Sequence, residues 1–553
     1  MTASGEARHV VPPGSWRSRS AFVIWLLVGV LISFHPALRH GWERPLEGYA
    51  DSHLVSFVLE HAHRALIASS GASSPWRPPV FHPFAASGSL TESLLGILPF
   101  YSLGRELGWS PLESSLLAQL LQSVATFGLA FLLFRRGLAA SPHEAGFAAL
   151  LVAFGAPKIA RIYHPQLFAQ VPLFLALLVV QRWLRRSRDE PPKARTVLLF
   201  AALLAAQFYS CVYVALLALL LGLASLPFLA IFKREREVLA ALLGQRWKAW
   251  LSAMLLLFVL LVPLLSHYSA AAGASSRPGY ARLVTLQPPP LALLNPGERS
   301  WLGRPLALWT GIPEMPYSWE FSLGIGLVAT GFVIAGLREA LRTPWLRLLL
   351  AGSTLAWFLV MRWPGGFSLW RSLVELLPAL GVLRAISRLH LLILPILAAT
   401  AMLGLRAASR RWGAVAAALL ALIAVAEQGR AWGMREPALR VTAEQVANVL
   451  PSDCPAFFLS SIGESAPDHH VQIAAMWAAL SSGTPTINGY SGYPPKGWRL
   501  TAAHEARLGE GDLRARLSAW LELSNFRGEL CWLRVDPDAP GAPSFHLERM
   551  RRP

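Results

Sequence analysis

The chain has 553 residues, 54% hydrophobic and only 15% charged, with a mean hydropathy of +0.43. A soluble domain carries about 25% charged residues, so this composition excludes a soluble globular protein and describes a polytopic membrane protein. The net charge of +18 does not point to nucleic acid: the segment after Arg430 holds 12 Lys/Arg against 13 Asp/Glu, and the basic excess lies among the apolar runs, where the positive-inside rule puts it.

In chain order, residues 1–20 are polar and basic, with Arg8, Arg17 and Arg19. The apolar run Ala21–Leu38 approaches the ~20 residues a bilayer crossing needs. No small-residue cleavage site follows it, so it is predicted to be a retained signal-anchor span. A first external loop, 39–113, comes next. Asp51 opens a stretch with apolar residues at Leu54, Val55, Val58, Leu59, Ala62 and Leu66, which is helical spacing. His53, Glu60, His61, Arg64 and Arg77 lie off or beside that stripe, and the helix is expected to rest on the membrane. Asp51 has two readings, an N-cap of this helix or a catalytic carboxylate at the membrane surface. His61 and His63 are two apart and face different sides, which favours solvated histidines over a metal site. Pro78–Pro83 forms a rigid turn, and Glu92 is expected at the start of a second surface helix. That helix, Thr91–Leu107, is apolar enough to span, but counting it would invert everything after it, and it contains Pro99. It is read as lying on or partly entering the outer face.

The basic clusters set the orientation. Arg135-Arg136, six basic residues from Arg182 to Arg195, five from Lys233 to Lys248, then 338–347 and 406–411 should all face the cytoplasm. Each interval between them must hold an even number of spans. The 36 residues Thr196–Ile231 would make a helix of about 54 Å, too long for a ~30 Å core, so two spans turning near Tyr209–Cys211 are expected. The other spans are placed near 21–38, 114–134, 144–158, 165–183, 249–266, 320–337, 345–361, 387–405 and 412–427. The result is eleven spans, N-terminus in and C-terminus out.

His164, in Ile162-Tyr163-His164-Pro165-Gln166, falls at the outer mouth between two spans, either as an interfacial Tyr/His pair or as a ligand contact. Arg384 and Arg388 are four apart and sit on the outer side against the usual charge bias, with Arg371 nearby. Arginine suits bidentate phosphate binding; the alternative is snorkelling to ordinary headgroups. Residues 431–553 are too polar to span and read as a small external α/β domain. Its expected elements are a strand at 457–459, a helix at 471–480 and a strand at 530–535. Cys454 and Cys531 are expected to form a disulfide in an oxidising exterior, with Cys211 free. Asn488–Pro495 is a turn-rich loop that either covers a site or is an irregular surface loop. No GxGxxG, Walker A, HExxH, GxSxG or CxxC pattern stands in a confirming context.

These residues resemble the GT-C superfamily of integral-membrane glycosyltransferases, in its uncharacterised bacterial, polyprenyl-phosphate-sugar-dependent group. The resemblance is one of layout over most of the chain. Gly48-Tyr49-Ala50-Asp51 occupies the family's acidic position in the first external loop. Phe81-His82-Pro83 resembles its aromatic-x-Pro turn, and Ser89–Gly96, with Glu92, resembles its Ser-Glu surface helix. Ile162–Gln166, Arg384–Arg388 and Asn488–Pro494, with Tyr490, resemble segments of the same group. The resemblance implies a mainly α, GT-C-like bundle of about eleven spans in the bacterial inner membrane, covering 21–430, with an external domain at 431–553. It also implies Asp51 as general base and a polyprenyl-phosphate sugar donor. The acceptor would be a glycan, lipid or protein. Substrate contacts would come from His164, Gln166, Arg384, Arg388, Glu92, His82, Asn488 and Tyr490. Many members carry two adjacent acids at the first-loop site. Here Asp51 stands alone, with Glu60 and Glu92 as candidate partners, which leaves a divalent-metal cofactor unsupported. The competing readings are a transporter or flippase of lipid-linked sugars, which internal repeats would mark, and a non-catalytic envelope protein that keeps the fold.

Overall fold

A computed structural model describes residues 15–42, 49–68, 74–185, 192–275, 280–433, 441–461, 468–501, 510–537, 539 and 543–552. Arg8, Gly48 and much of the basic loop between Arg182 and Arg195 lie outside the described residues. Helices occupy all eleven stretches expected to span. By length and composition, six helices among the described residues are long and apolar enough to cross a membrane, or seven if the bent pair Pro344–Val360 and Pro364–Leu376 is one span. One of the six is the continuous stretch Ile386–Ala426, which Gly413, at φ 84°, divides into two helical pieces.

Two helices of the bundle begin where the sequence supplies caps. Ser110 with Glu113 and Ser141 with Glu144 form capping boxes at the starts of Pro111–Gly137 and Pro142–Phe154, each satisfying two orphan backbone donors. Arg406 then clamps the Glu144 carboxylate from the late helix, at 2.8 and 3.0 Å. Helices Leu327–Arg342 and His390–Ala426 cross with backbones in contact. A Cβ on Gly404 would lie 1.8 Å from the Phe332 carbonyl oxygen, and one on Gly336 would lie 2.0 Å from that of Thr400. Small residues at such crossings let bare helix faces meet, and this crossing fixes the segment that carries Arg388.

The C-terminal region is a small α/β domain. Strands β1 (Phe457–Ser461), β2 (Gly528–Asp536) and β3 (Ser544–Arg552) form a sheet in the order β1-β2-β3. β1 runs parallel to β2, with Phe457 opposite Cys531, and β3 runs antiparallel to it. Helices Asp468–Ser482 and Glu510–Leu523 accompany the sheet. The Cys454–Cys531 pair is disulfide-bonded, with 6.2 Å between Cα atoms, and Cys211 is free and buried. β3 and the helix 510–523 had no counterpart among the expected elements.

The first loop differs most from its expectation. Helix Tyr49–Leu66 does not simply rest on a lipid surface. Ser52, His53, Ser56, Phe57, Glu60, His61 and His63 are all buried along with Val55, Leu59 and Ala62, because the bundle covers one side and the C-terminal domain the other. Phe57, Val80, Phe81 and Leu90 share one apolar core with Phe458, Ile487, Trp498 and Trp532. Segment 79–82 also pairs by backbone with 486–488: Thr486 N–H donates to the Pro79 carbonyl at 3.0 Å, Phe81 N–H to Asn488 at 2.9 Å and His82 N–H to Thr486 at 2.9 Å. His61 and His63 are therefore buried rather than solvated. They contact the Ser74 carbonyl and the Ser102 hydroxyl respectively. The second surface helix shrinks to Leu98–Glu106, about 14 Å long at 1.5 Å per residue and too short to span.

Candidate active site

The site grows from the break between two helices of the bundle. Helix Pro142–Phe154 stops at Gly155, and the next long helix starts only at Val171. Between them, short turns carry Arg161 and His164 into the protein, both buried. Across from them lies Glu320, on the 3₁₀ turn Ser318–Phe321, its side chain 3% exposed. The sequence reading had begun a span at 320. The helix instead begins at Leu327, after Gly326 at φ 91°, a conformation that glycine supplies without strain. Glu320 is thereby left outside the helix and turned into the site.

Arg388 holds Glu320 through two nitrogens. Nη2 lies 2.5 Å from Oε1 and Nε lies 3.1 Å from it, with Nε also 3.3 Å from Oε2. The Ser387 hydroxyl donates to Oε2 at 3.4 Å. Arg161 supports the same residue from behind, with Nη2 2.8 Å from the Glu320 carbonyl and Nε 3.9 Å from Oε2. Burial alone would raise the Glu320 carboxyl, but the Arg388 guanidinium outweighs it and holds the group well below the usual carboxylate range.

From this buried pair the contacts run outward through one imidazole. Arg388 Nη2 lies 3.1 Å from His164 Nε2, and His164 Nδ1 lies 3.2 Å from Asp51 Oδ2. A guanidinium only donates, so Nε2 is the accepting nitrogen of the Arg388 contact, while Nδ1 stands beside Asp51 without a hydrogen bond among the described residues. Nε2 is also 3.4 Å from Glu320 Oε1, a longer approach that Arg388 bridges. The Asp51 side chain is 41% exposed, against 9% for His164. Three residues far apart in sequence, Asp51, His164 and Arg388, thus form one line from a buried ion pair to an open carboxylate.

Tyr213 borders this line. The Arg388 guanidinium lies 5.6 Å from the centre of its ring, a cation–π arrangement. The Tyr213 hydroxyl is buried and finds no hydrogen-bond partner among the described residues. Arg384 comes to the same neighbourhood by another route. The segment is not the helix that four-residue spacing suggested: only Ile386–Leu389 forms a 3₁₀ turn, so the two guanidinium groups do not share a helix face. Arg384 turns toward the C-terminal domain, where a Cβ on Gly492 would meet its Nη1 at 2.7 Å. No ion pair with a carboxylate forms at Arg384 among the described residues. Tyr493 fastens the neighbouring backbone by donating to the Val382 carbonyl at 2.8 Å.

The remaining expected contacts lie elsewhere or are already engaged. Glu92 precedes the short helix rather than starting it. It caps Val212–Ser225 by accepting from the Val212 and Tyr213 N–H groups at 2.7 and 3.2 Å, a favourable place for an anion. Burial raises its carboxyl above the ordinary value, and those backbone donors offset this only in part. Glu60 is bound to Arg64, Arg105 and the Tyr101 hydroxyl at 2.7–3.2 Å and is not a partner of Asp51. His82 packs on Phe526 within the C-terminal domain. Asn488 is fully buried, accepting from Leu459 N–H at 2.7 Å and donating to the Leu459 and Gln472 oxygens, each at 2.9 Å. Tyr490 lies beside His469 at 6.4 Å between rings. The Gln166 amide oxygen is buried without a hydrogen-bond partner among the described residues.

The donor set does not suit a divalent metal. Among the described residues no group of three His, Cys, Asp or Glu side chains is arranged to hold one. Hard cations need several oxygen ligands, whereas Asp51 has one imidazole beside it and both Glu320 oxygens are taken by Arg388.

Glu320, Arg161 and Tyr213 were missed from the sequence. For Glu320 a signal existed in Gly324-Ile325-Gly326, which stands just before the apolar run and marks where the helix can begin. Arg161 and Tyr213 carried no signal of their own.

No protein-family model and no curated protein matches the chain. Among solved structures it is similar to the oligosaccharyltransferase of Archaeoglobus fulgidus tethered to an acceptor peptide with an NVT sequon, at 12% identity. That match covers 94% of this chain and 69% of the other, with a TM-score of 0.50. The archaeal oligosaccharyltransferase AglB from the same organism, in complex with an inhibitory peptide and a dolichol-phosphate, aligns at 13% identity, over 94% and 70% of the chains, with a TM-score of 0.48. The arabinofuranosyltransferase AftD from Mycobacteria aligns at 17% identity over 86% of this chain but 32% of its own, with a TM-score of 0.47. The chain shares the fold of that tethered archaeal oligosaccharyltransferase, several apolar helices with a small C-terminal α/β domain.

Proposed function

We propose that this protein is a membrane glycosyltransferase that moves a sugar from a polyprenyl-phosphate donor to an acceptor hydroxyl at the outer face of the bacterial inner membrane. The observation that carries the reading is the contact of Asp51 with His164 at the open end of the Arg388–Glu320 ion pair. The fold shared with the acceptor-tethered oligosaccharyltransferase supports it. A transferase of this kind needs a base that reaches solvent and a cation for the leaving phosphate. Asp51 is half exposed, and Arg384 makes no ion pair with a carboxylate among the described residues.

In the proposed reaction the free Asp51 oxygen takes the proton from the acceptor hydroxyl. The acceptor oxygen bonds to the anomeric carbon as the bond from that carbon to the phosphate oxygen breaks, and the electron pair leaves with the lipid phosphate. His164, with its proton on Nδ1, orients the Asp51 carboxylate. Arg384 and the Tyr213 hydroxyl stabilise charge as it develops on the phosphate, which is where fixed donors contribute most.

The test is transfer from a polyprenyl-phosphate sugar in proteoliposomes containing purified wild-type or Asp51→Asn protein. A general base is worth roughly 10²–10⁴ in rate, so a loss of that size is expected with no change in thermal unfolding. Transfer by Asp51→Asn at the wild-type rate would remove the base assignment.

A further inference from the structure

We propose that Arg388 is the resident cation of this site, filling by protein what a divalent metal would fill by coordination and setting the state of His164 as it does so. The inference uses the site described above and is independent of which sugar or acceptor it serves.

His164 presents its two nitrogens to two carboxylates, Nδ1 to Asp51 at 3.2 Å and Nε2 to Glu320 at 3.4 Å. A metal ion could enter on either side of the ring, and each side has been foreclosed differently. On the Glu320 side the space between carboxylate and imidazole is taken: Arg388 Nη2 stands 2.5 Å from Glu320 Oε1 and 3.1 Å from His164 Nε2. Arg388 is tethered there by its Nε contacts to both Glu320 oxygens and by the ring of Tyr213. On the Asp51 side only one carboxylate and one imidazole nitrogen converge among the described residues, well short of the six or more oxygens a hard cation gathers. The nearby charges give a dication no net attraction: Arg161 and Arg388 already offset the two carboxylates, Glu320 and Asp51.

The guanidinium also does something a metal on Nε2 would do. Both leave Nε2 as the electron-pair donor and confine the ring proton to Nδ1. Arg388 is thus a positioning residue. It acts on Asp51 through His164, and it brings a fixed positive charge that needs no loading.

The experiment is a Mn²⁺ titration followed by electron paramagnetic resonance, on detergent-purified full-length wild-type protein and on Asp51→Asn and His164→Gln variants. Expected is no saturable Mn²⁺ binding in the wild type up to about 1 mM, the weak end of carboxylate cation sites, beyond what Asp51→Asn shows. A stoichiometric Mn²⁺ site in the wild type that disappears in Asp51→Asn or His164→Gln overturns the proposal. Arg388→Ala supplies a second arm. With the guanidinium gone, Glu320 and His164 face each other across an open gap, and the variant should acquire Mn²⁺ affinity that the wild type lacks. The first two variants decide the matter if Arg388→Ala does not fold. An Asp51-dependent metal site alongside Asp51-dependent transfer would sink this inference and leave the transferase reading intact. Transfer that survives Asp51→Asn would sink that reading without touching the Mn²⁺ result.

Discussion

Two buried carboxylates, Glu60 and Glu320, are neutralised by arginines in the same way and end differently. Glu60, 1% exposed, is held by Arg64, Arg105 and the Tyr101 hydroxyl. Arg64 also donates to the Leu480 carbonyl of the C-terminal domain at 2.7 Å. Its contacts join three pieces of protein: helix 49–66, the short helix 98–106 and helix 468–482. Glu320, 3% exposed, is held by Arg388 and Arg161, but its network continues through His164 to a half-exposed acid. Burial and charge pairing alone do not distinguish a fastening from a reactive site. What distinguishes these two is that the Glu320 contacts lead on to a half-exposed carboxylate, whereas the Glu60 contacts tie segments of the chain together.

The comparison can be broken experimentally. The largest effect is expected at Glu320→Gln, which strands Arg388 and Arg161 in the interior and removes the support behind His164. Leaving one partner of a buried pair uncompensated costs about 3–5 kcal/mol, so thermal unfolding should shift strongly and transfer should fall beyond what the lost stability explains. Glu60→Gln should cost less, about 1–3 kcal/mol, because Arg64 and Arg105 are 32% and 24% exposed and can rehydrate. Its transfer rate, measured below the unfolding range, should stay at wild type. If Glu60→Gln lost transfer as Glu320→Gln does, the distinction between the two networks would fail.

The smallest effect is a difference in acid response. Both carboxyls lie below their ordinary value of 4.5 in the folded protein: burial raises each, and the surrounding donors overcome it. For such groups the stabilisation is fully present above the unfolded value and is lost as pH falls through the folded one. Glu320 is held well below 4.5 and Glu60 is simply lowered, so on acidification below 4.5 the Glu60 fastening should release first. Limited proteolysis of segment 49–106 against pH would show this as an early step that Glu60→Gln removes. An unchanged early step in that variant would assign the release to other groups.

The sequence made the site half legible, and the reasons are local. Asp51, His164 and Arg388 stood out because each is polar at a place where a membrane chain is otherwise apolar or where its positive charges normally lie on the other side. Glu320 did not, because a single acid beside an apolar run is absorbed into the run unless the following glycines are weighed. The Arg384/Arg388 spacing was informative about place and misleading about geometry, since the backbone there is a short 3₁₀ turn rather than an α-helix. The first loop was the larger error of environment. Its apolar stripe was read as a membrane face, but the polar positions opposite it are buried too, under a domain encoded some 400 residues later. Periodicity reports that a face is apolar and does not say what covers the other one. Asn488 shows the same limit: a turn-rich, uncharged loop suggested a cover for a site, while its side chain is spent within the domain on Leu459 and Gln472.

The backbone pairing of 79–82 with 486–488 also sets an order of events in biogenesis. Residues 79–82 leave the ribosome long before their partner strand exists. At about 5–20 residues per second the wait lasts on the order of 20–80 s. During that interval helix 49–66 lacks one of its two walls. The protein therefore completes the wall over this region only when nearly the whole chain has been made, and a nascent or truncated protein carries the spans without it.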